Sequence, residues 1–214
     1  MKEVVEARAT MKVRNFMQGA AIGVLLLSIV VGVLCAIGND RRKATARGVR
    51  VGSSSLSVKF SPKGGCADAI VAEIGKAKES VLVLAYSFTS RPIFAALLEA
   101  KRRGIDVKVV VDGGQLEVRS LVWESYSNGI PTLVDCRHAI AHNKVIVIDD
   151  RVVITGSFNF SAAAENSNAE NLLVIRSKDV AALYGSNWAE HAGHSVAPMG
   201  VSDRPKRRTI EEQE

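Results

Sequence analysis

Cysteine is scarce in this 214-residue chain: Cys35, Cys66 and Cys136 are the only three, with no CxxC pair and no metal-ligand spacing. That excludes a disulfide-framed scaffold and a cysteine-built zinc module. Cys66 and Cys136 read as two buried free thiols, or as a pair if the compartment is oxidising. Charge is absent between Phe16 and Gly38, where only Gln18 and Ser28 are clearly polar. About 20 such residues cross a bilayer as a helix, and the run is longer than a usual signal-peptide core. Its apolar surface runs all round, which excludes an ordinary one-stripe core helix. A clear cleavage site is missing too. Ala36-Ile37-Gly38 matches a small-x-small pattern loosely, and Cys35 follows Leu34 where a lipoprotein signal wants a small residue. Nor does any internal repeat appear: the pair His142-x-Lys144 has no second copy.

What is present begins with a formal net charge of +6 and a sequence pI near 9.4, which favour anionic partners such as nucleic acid or an acidic membrane surface. Arg41, Arg42, Lys43, Arg47 and Arg50 lie on one flank, and Arg204, Lys206, Arg207 and Arg208 on the other. Lys12 and Arg14 precede the apolar run, so basic residues border it on both sides and the positive-inside rule does not orient it. The chain divides into an N-terminal flank (1–15), a transmembrane anchor or signal segment (16–38), a basic linker (39–55), a main domain (56–193) and a polar tail expected to be disordered (194–214). This organisation predicts export, to the periplasm or to an anchored position on the inner membrane.

Within the domain, Leu56, Val58 and Phe60 alternate with polar residues and predict a strand. Helical spacing follows over 67–78, then strands over 81–86 and 105–111 around a helix that starts at Pro92 and ends on Lys101-Arg102-Arg103-Gly104. A short helix over 116–127, strands over 132–134, 145–148, 152–155 and 172–175, and a helix over 179–191 complete the pattern. Such alternation predicts an α/β domain, a mixed sheet with helices on both faces, preceded by the N-terminal hydrophobic helix.

The chemistry concentrates between His142 and Asn171. His142 and Lys144 are two apart, so on an extended chain they project from one face. Val145 to Ile148 lacks polar alternation and reads as a strand buried on both sides, a rigid mount for such a pair. Two cations on one face repel unless an anion joins them.

His142-x-Lys144-x4-Asp149 followed by Gly156-Ser157-x-Asn159 resembles the HKD signature of the phospholipase D superfamily. The motifs Tyr86-Ser87-Phe88-Thr89, Lys101-Arg102-Arg103-Gly104-Ile105-Asp106-Val107 and Gly156-Ser157-Phe158-Asn159-Phe160 are similar to those of its small single-motif bacterial members, the Nuc-type endonucleases. The resemblance spans roughly 56–191. It implies His142, Lys144, Asp149 and Glu170 as catalytic residues, with Glu170 orienting the imidazole. Lys144, Ser157 and Asn159 would hold the substrate phosphate. Asp149, at the far end of the buried strand, has a structural reading as well as its place in the motif.

Displacement at phosphorus needs a nucleophile on one side and a proton donor at the leaving oxygen on the other, and one imidazole cannot fill both positions. A homodimer with a shared site would supply the second His142. No cofactor and no catalytic metal is expected, since the lysines neutralise the developing charge. Three functions stay open: a non-specific endonuclease acting on DNA and on RNA too; a phospholipase D acting on phosphatidylcholine or cardiolipin; and a catalytically silent, anchored nucleic-acid-binding protein. Structural alternatives stand beside the site residues. Gly156-Ser157 reads as a turn, Ser157, Asn159 and Ser161 as strand polarity or a helix cap, and Glu170 as an exposed acid. Asn166, Asn168 and Asn171 read as loop polarity, and His191 and His194 as surface residues. His138 and His142, four apart, lack a third zinc ligand. Trp123, Trp188 and Tyr184 read as packing.

Overall fold

The computed structural model describes residues 55–116 and 120–201. The predicted anchor, the linker up to residue 54, Cys35 and residues 202–214 of the tail lie outside the described residues. Among the described residues no helix is long and apolar enough to cross a membrane.

The described residues form seven strands and five helices, the strands and four of the helices in the order that the periodicity predicts. The strands are β1 (Ser55–Ser61), β2 (Ser80–Ala85), β3 (Asp106–Asp112), β4 (Thr132–Asp135), β5 (Lys144–Ile148), β6 (Val152–Gly156) and β7 (Glu170–Arg176). The helices are α1 (Cys66–Gly75), α2 (Arg91–Arg102), α3 (Val122–Ser127), α4 (Ala162–Asn166) and α5 (Lys178–His194), and a 3-10 turn spans Pro198–Val201. One sheet holds all seven strands in the order β1-β7-β6-β5-β2-β3-β4. Only β2-β3 and β3-β4 run parallel, so the sheet is mixed.

Helices cover both faces, and strand parity shows how. Val83, Val109, Ile146 and Ile148 point into a core with Ile70 and Ile74 of α1 and Ile93, Phe94 and Leu97 of α2. Their neighbours Leu84, Val110, Val145 and Val147 point the other way, against Ala181, Tyr184 and Trp188 of α5. Trp188 also donates its indole N–H to the Val83 carbonyl at 3.0 Å. Every residue of β5 is buried, as the unbroken apolar run predicts. Each fully buried Val or Ile there contributes about 1.5–3 kcal/mol, so the strand is a stiff support.

Several expectations are corrected. The alternation in β1 does not mark a half-buried strand: Leu56, Val58 and Phe60 are all exposed on this sheet edge. α3 begins at Val122 and not at Leu116, and its Trp123 is 41% exposed, not packed. α4 occupies a stretch read as loop; Ser161 caps it by accepting the Ala164 N–H, and five residues are too few to show a period. α5 runs on to His194, and the first part of the predicted disordered tail is ordered. Val196 exchanges two backbone hydrogen bonds with Val134 of β4, and the 3-10 turn follows. Cys66 is buried and Cys136 partly buried, both as free thiols.

Candidate active site

Register brings the ends of four neighbouring strands to one sheet edge. Ala85, last in β2, pairs with Lys144, first in β5. Val145 pairs with Thr155 of β6, and Gly156, last in β6, pairs with Leu172 of β7, two residues into that strand. Lys144, Gly156-Ser157, Glu170 and Tyr86 therefore gather at the same rim. Parity also sets the face. Lys144 alternates in step with Ile146 and Ile148, and Glu170 with Leu172 and Val174, all on the face covered by α1 and α2.

The His142–Lys144 pair is built as the spacing predicts, and an unpredicted residue sits against it. His142 is exposed, whereas Lys144 keeps only 7% of its surface. The lysine Nζ donates to the His142 carbonyl at 2.8 Å. The Tyr86 N–H donates to the Asn143 carbonyl at 2.8 Å, carrying the β2–β5 pairing one step past the strand. That places the Tyr86 ring 4.4 Å from the imidazole centroid, tilted by 57°, and 5.1 Å from the Lys144 ammonium. The phenol ring supports the imidazole and offers the ammonium its negative face. Burial pushes the Lys144 pKa below the ordinary lysine range, and the charge of Glu170 partly opposes that. A cation held away from water next to a solvent-facing imidazole is a ready site for an anion.

The loop after β6 supplies the amide and the hydroxyl. Gly156 has φ of +151°, and a Cβ there would lie 2.3 Å from the Asn171 carbonyl oxygen, so only glycine allows the close approach of β6 to β7. Ser157 Oγ accepts the Asn171 N–H at 3.0 Å, leaving its own proton to donate. Phe158 and Phe160 are buried on either side of Asn159, and the Phe160 carbonyl accepts the Thr89 and Ser90 N–H groups. Asn159 is thus clamped between two anchors. Among the described residues its buried Oδ1 has no hydrogen-bond partner, so it is able to take one, and a buried acceptor left open costs about 1–3 kcal/mol.

Two predicted residues stand elsewhere than expected. Glu170 does not hydrogen-bond the His142 ring; its Oε1 accepts from Asn168 Nδ2 at 3.1 Å, and its charge acts on Lys144. Asp149 does not join the cluster at all. It lies past the other end of β5, about 16 Å along the strand, in a turn where it and Asp150 have φ of 55° and 50°. There its carboxylate accepts the N–H groups of Lys78, Glu79 and Ser80 at 3.0, 2.8 and 2.9 Å, tying the α1–β2 loop to the β5–β6 turn. The catalytic assignment of Asp149 gives way to the structural one on that geometry. His138 and His142 also part company: His138 turns to Asp135, and His142 to Tyr86. His191 and His194 are not surface residues, since His191 is buried, His194 partly so, and both reach Asp135.

Tyr86 is the residue in contact with the pair that the sequence reading did not place there. Its sequence signal is an aromatic placed directly after a buried strand, one step beyond the residue that pairs with Lys144.

Known proteins resemble this chain over most of its described residues. Residues 70–191 match the family model described as "Cardiolipin synthase, PLD-like domain". The chain is 40% identical over 144 residues to a protein named Phospholipase D from Rickettsia typhi, covering 66% of this chain and 71% of that one. Among solved structures it is similar to Nuc from Salmonella typhimurium, described as a phospholipase D family member: TM-score 0.64, 38% identity, 67% of this chain and 97% of that chain. It shares its fold with NucT from Helicobacter pylori at TM-score 0.61 and 24% identity, over 68% of this chain and 99% of that one.

Proposed function

The chain belongs to the phospholipase D superfamily, a family of phosphodiesterases, and from that premise we propose that it is a metal-independent, non-specific endonuclease hydrolysing DNA, with RNA as a further substrate, in a homodimer. The observation that carries the reading is the exposed His142 beside the buried, singly bonded Lys144 on one face of the rim. In this mechanism one His142 attacks phosphorus and displaces the leaving oxygen, forming a phosphohistidine. The His142 of a second copy protonates that oxygen, then takes a proton from water as the water attacks phosphorus and releases the histidine. Lys144 and the Asn159 and Ser157 side chains hold the non-bridging oxygens, whose charge grows in the transition state. Glu170 keeps Lys144 cationic. Similarity across nearly all of Nuc supports a nucleic-acid substrate, and an exposed nucleophile at a sheet rim suits the outward phosphates of a long polyanion.

One observation favours a phospholipid instead. Residues 55–201 carry fifteen basic and fifteen acidic side chains, so the whole net charge of +6 comes from residues 1–54, around the apolar run. A basic segment bordering an apolar one suits an anionic membrane surface.

The test sets plasmid DNA and vesicles of phosphatidylcholine with cardiolipin side by side, with the full chain, in buffer without chelator and again in EDTA. Nicking of the plasmid that disappears in His142→Ala supports the endonuclease. Head-group release with intact DNA overturns it in favour of the phospholipase, and inertness toward both removes the enzymatic reading in favour of silent binding.

A further inference from the structure

The rim that carries His142 also carries a second constellation, at its β4 end. Asp135, the last residue of β4, is fully buried. Three imidazole nitrogens converge on its Oδ2: His191 Nδ1 at 2.7 Å, His138 Nδ1 at 2.8 Å and His194 Nε2 at 3.1 Å. His191 and His194 lie one turn apart on α5, and His138 lies three residues beyond Asp135. The four donor atoms lie within 4.8 Å of one another. Asp135 Oδ1 accepts the N–H groups of Arg137 and His138 at 2.9 and 3.3 Å, which turns Oδ2 toward the imidazoles.

Hydrogen bonding alone explains this poorly. One carboxylate oxygen has about two lone-pair directions, fewer than the three nitrogens crowded on it. A tetrahedral zinc ion, at about 2.0–2.1 Å from each donor, would set the donors about 3.3 Å apart, inside the spread of distances seen here. The donor set, three imidazoles and one carboxylate, suits zinc rather than calcium or magnesium. We propose that Asp135, His138, His191 and His194 form a structural zinc site.

Four protein ligands leave no open position, so the ion clamps the chain and takes no part in phosphoryl transfer. What it clamps is specific. It joins the C-terminal end of α5 to β4 and to the 136–143 segment, whose last two residues are His142 and Asn143. Asp112 holds that segment further along, accepting the Ala141 N–H at 2.7 Å. Zinc thereby restrains the strand of backbone that presents the exposed imidazole.

The experiment strips the full chain of metal, titrates it with Zn2+ against a chromophoric chelator, and records zinc content and the unfolding midpoint. One zinc per chain is expected, with a midpoint that rises with free zinc. His138→Ala and His194→Ala should each weaken zinc binding by more than about 100-fold, beyond what loss of an outer partner costs. Both should erase the zinc-dependent rise. Cobalt substitution of the parent chain provides a readout that needs no variant: a tetrahedral visible spectrum supports the site. Absence of stoichiometric zinc in the parent, or unchanged zinc affinity in folded His138→Ala, would overturn it. None of these readouts uses substrate, so their failure leaves the phosphodiesterase reading untouched, and failure of the cleavage assay leaves zinc binding untouched.

Discussion

Replacing Asp149 with alanine should unfold the protein before it harms the chemistry. The half-buried bond from the Ser80 N–H to this charged acceptor is worth about 1.5–3 kcal/mol. The Lys78 and Glu79 amides are exposed and turn to water on its loss, so together they add about 1 kcal/mol. At φ of 55° an alanine adds a steric cost of about 1–2 kcal/mol. The total is roughly 3–6 kcal/mol, which for a domain of this size lowers the midpoint by roughly 10–20 °C. Asp149→Asn keeps an acceptor and tolerates the backbone, so it should lose about a third of that. Acid provides a second signature. Burial pushes the Asp149 pKa up, but the Ser80, Glu79 and Lys78 amides outweigh it and hold the carboxyl below its ordinary 3.8. Its stabilisation is therefore complete above 3.8 and lost as pH falls through the depressed value, a loss that Asp149→Asn should not show. Thermal unfolding by circular dichroism and hydrolysis of bis(p-nitrophenyl) phosphate at low temperature together decide the matter. A variant with the parent's midpoint and no turnover would refute the structural role.

Lys144 should behave in the opposite sense. Because its folded pKa is lowered, stability should rise as pH climbs through that value toward 10.5, while turnover, which needs the cation, falls over the same window. Lys144→Met should melt no lower than the parent and lose at least about 100-fold in kcat, and a low-melting variant with normal kcat would contradict the assignment. Gly156→Ala drives a Cβ into the Asn171 carbonyl, so its urea midpoint should report about 1–3 kcal/mol lost, with turnover falling too. An equal mixture of parent and His142→Ala, unfolded and refolded together, should keep about a quarter of the parent activity if each site needs two imidazoles. Retention of about half would show that each chain works alone.

Much of this architecture was legible because it rests on period. The apolar run Val145 to Ile148 marks a strand buried on both faces, and the period of two puts His142 and Lys144 together. What escaped has no period. Tyr86 meets His142 through a register between β2 and β5, chain segments nearly sixty residues apart, and an aromatic at a strand end looks like any other core residue. His191 and His194 read as surface because their partner, Asp135, lies 56 residues away from His191. Val196 looks like the start of a polar tail, yet its pairing with Val134 uses backbone groups that every residue possesses. α4 is shorter than two turns, too brief to display an apolar face.

The two ends of β5 show what separates a fully paired polar residue from one left partly open. Asp149 and Lys144 belong to the same motif, border the same buried strand and both lose water on folding. Asp149 has three amides from the neighbouring loop, so its desolvation is fully offset and its removal leaves broken backbone contacts. Among the described residues Lys144 has one carbonyl, an aromatic face and the charge of Glu170, and Asn159 Oδ1, in the loop after β6, has no hydrogen-bond partner. A fold gains no stability from leaving a cation and an amide in that state. The proposed phosphate would complete both shells, and on that reading the two stretches that carry them are where local stability is given up for chemistry.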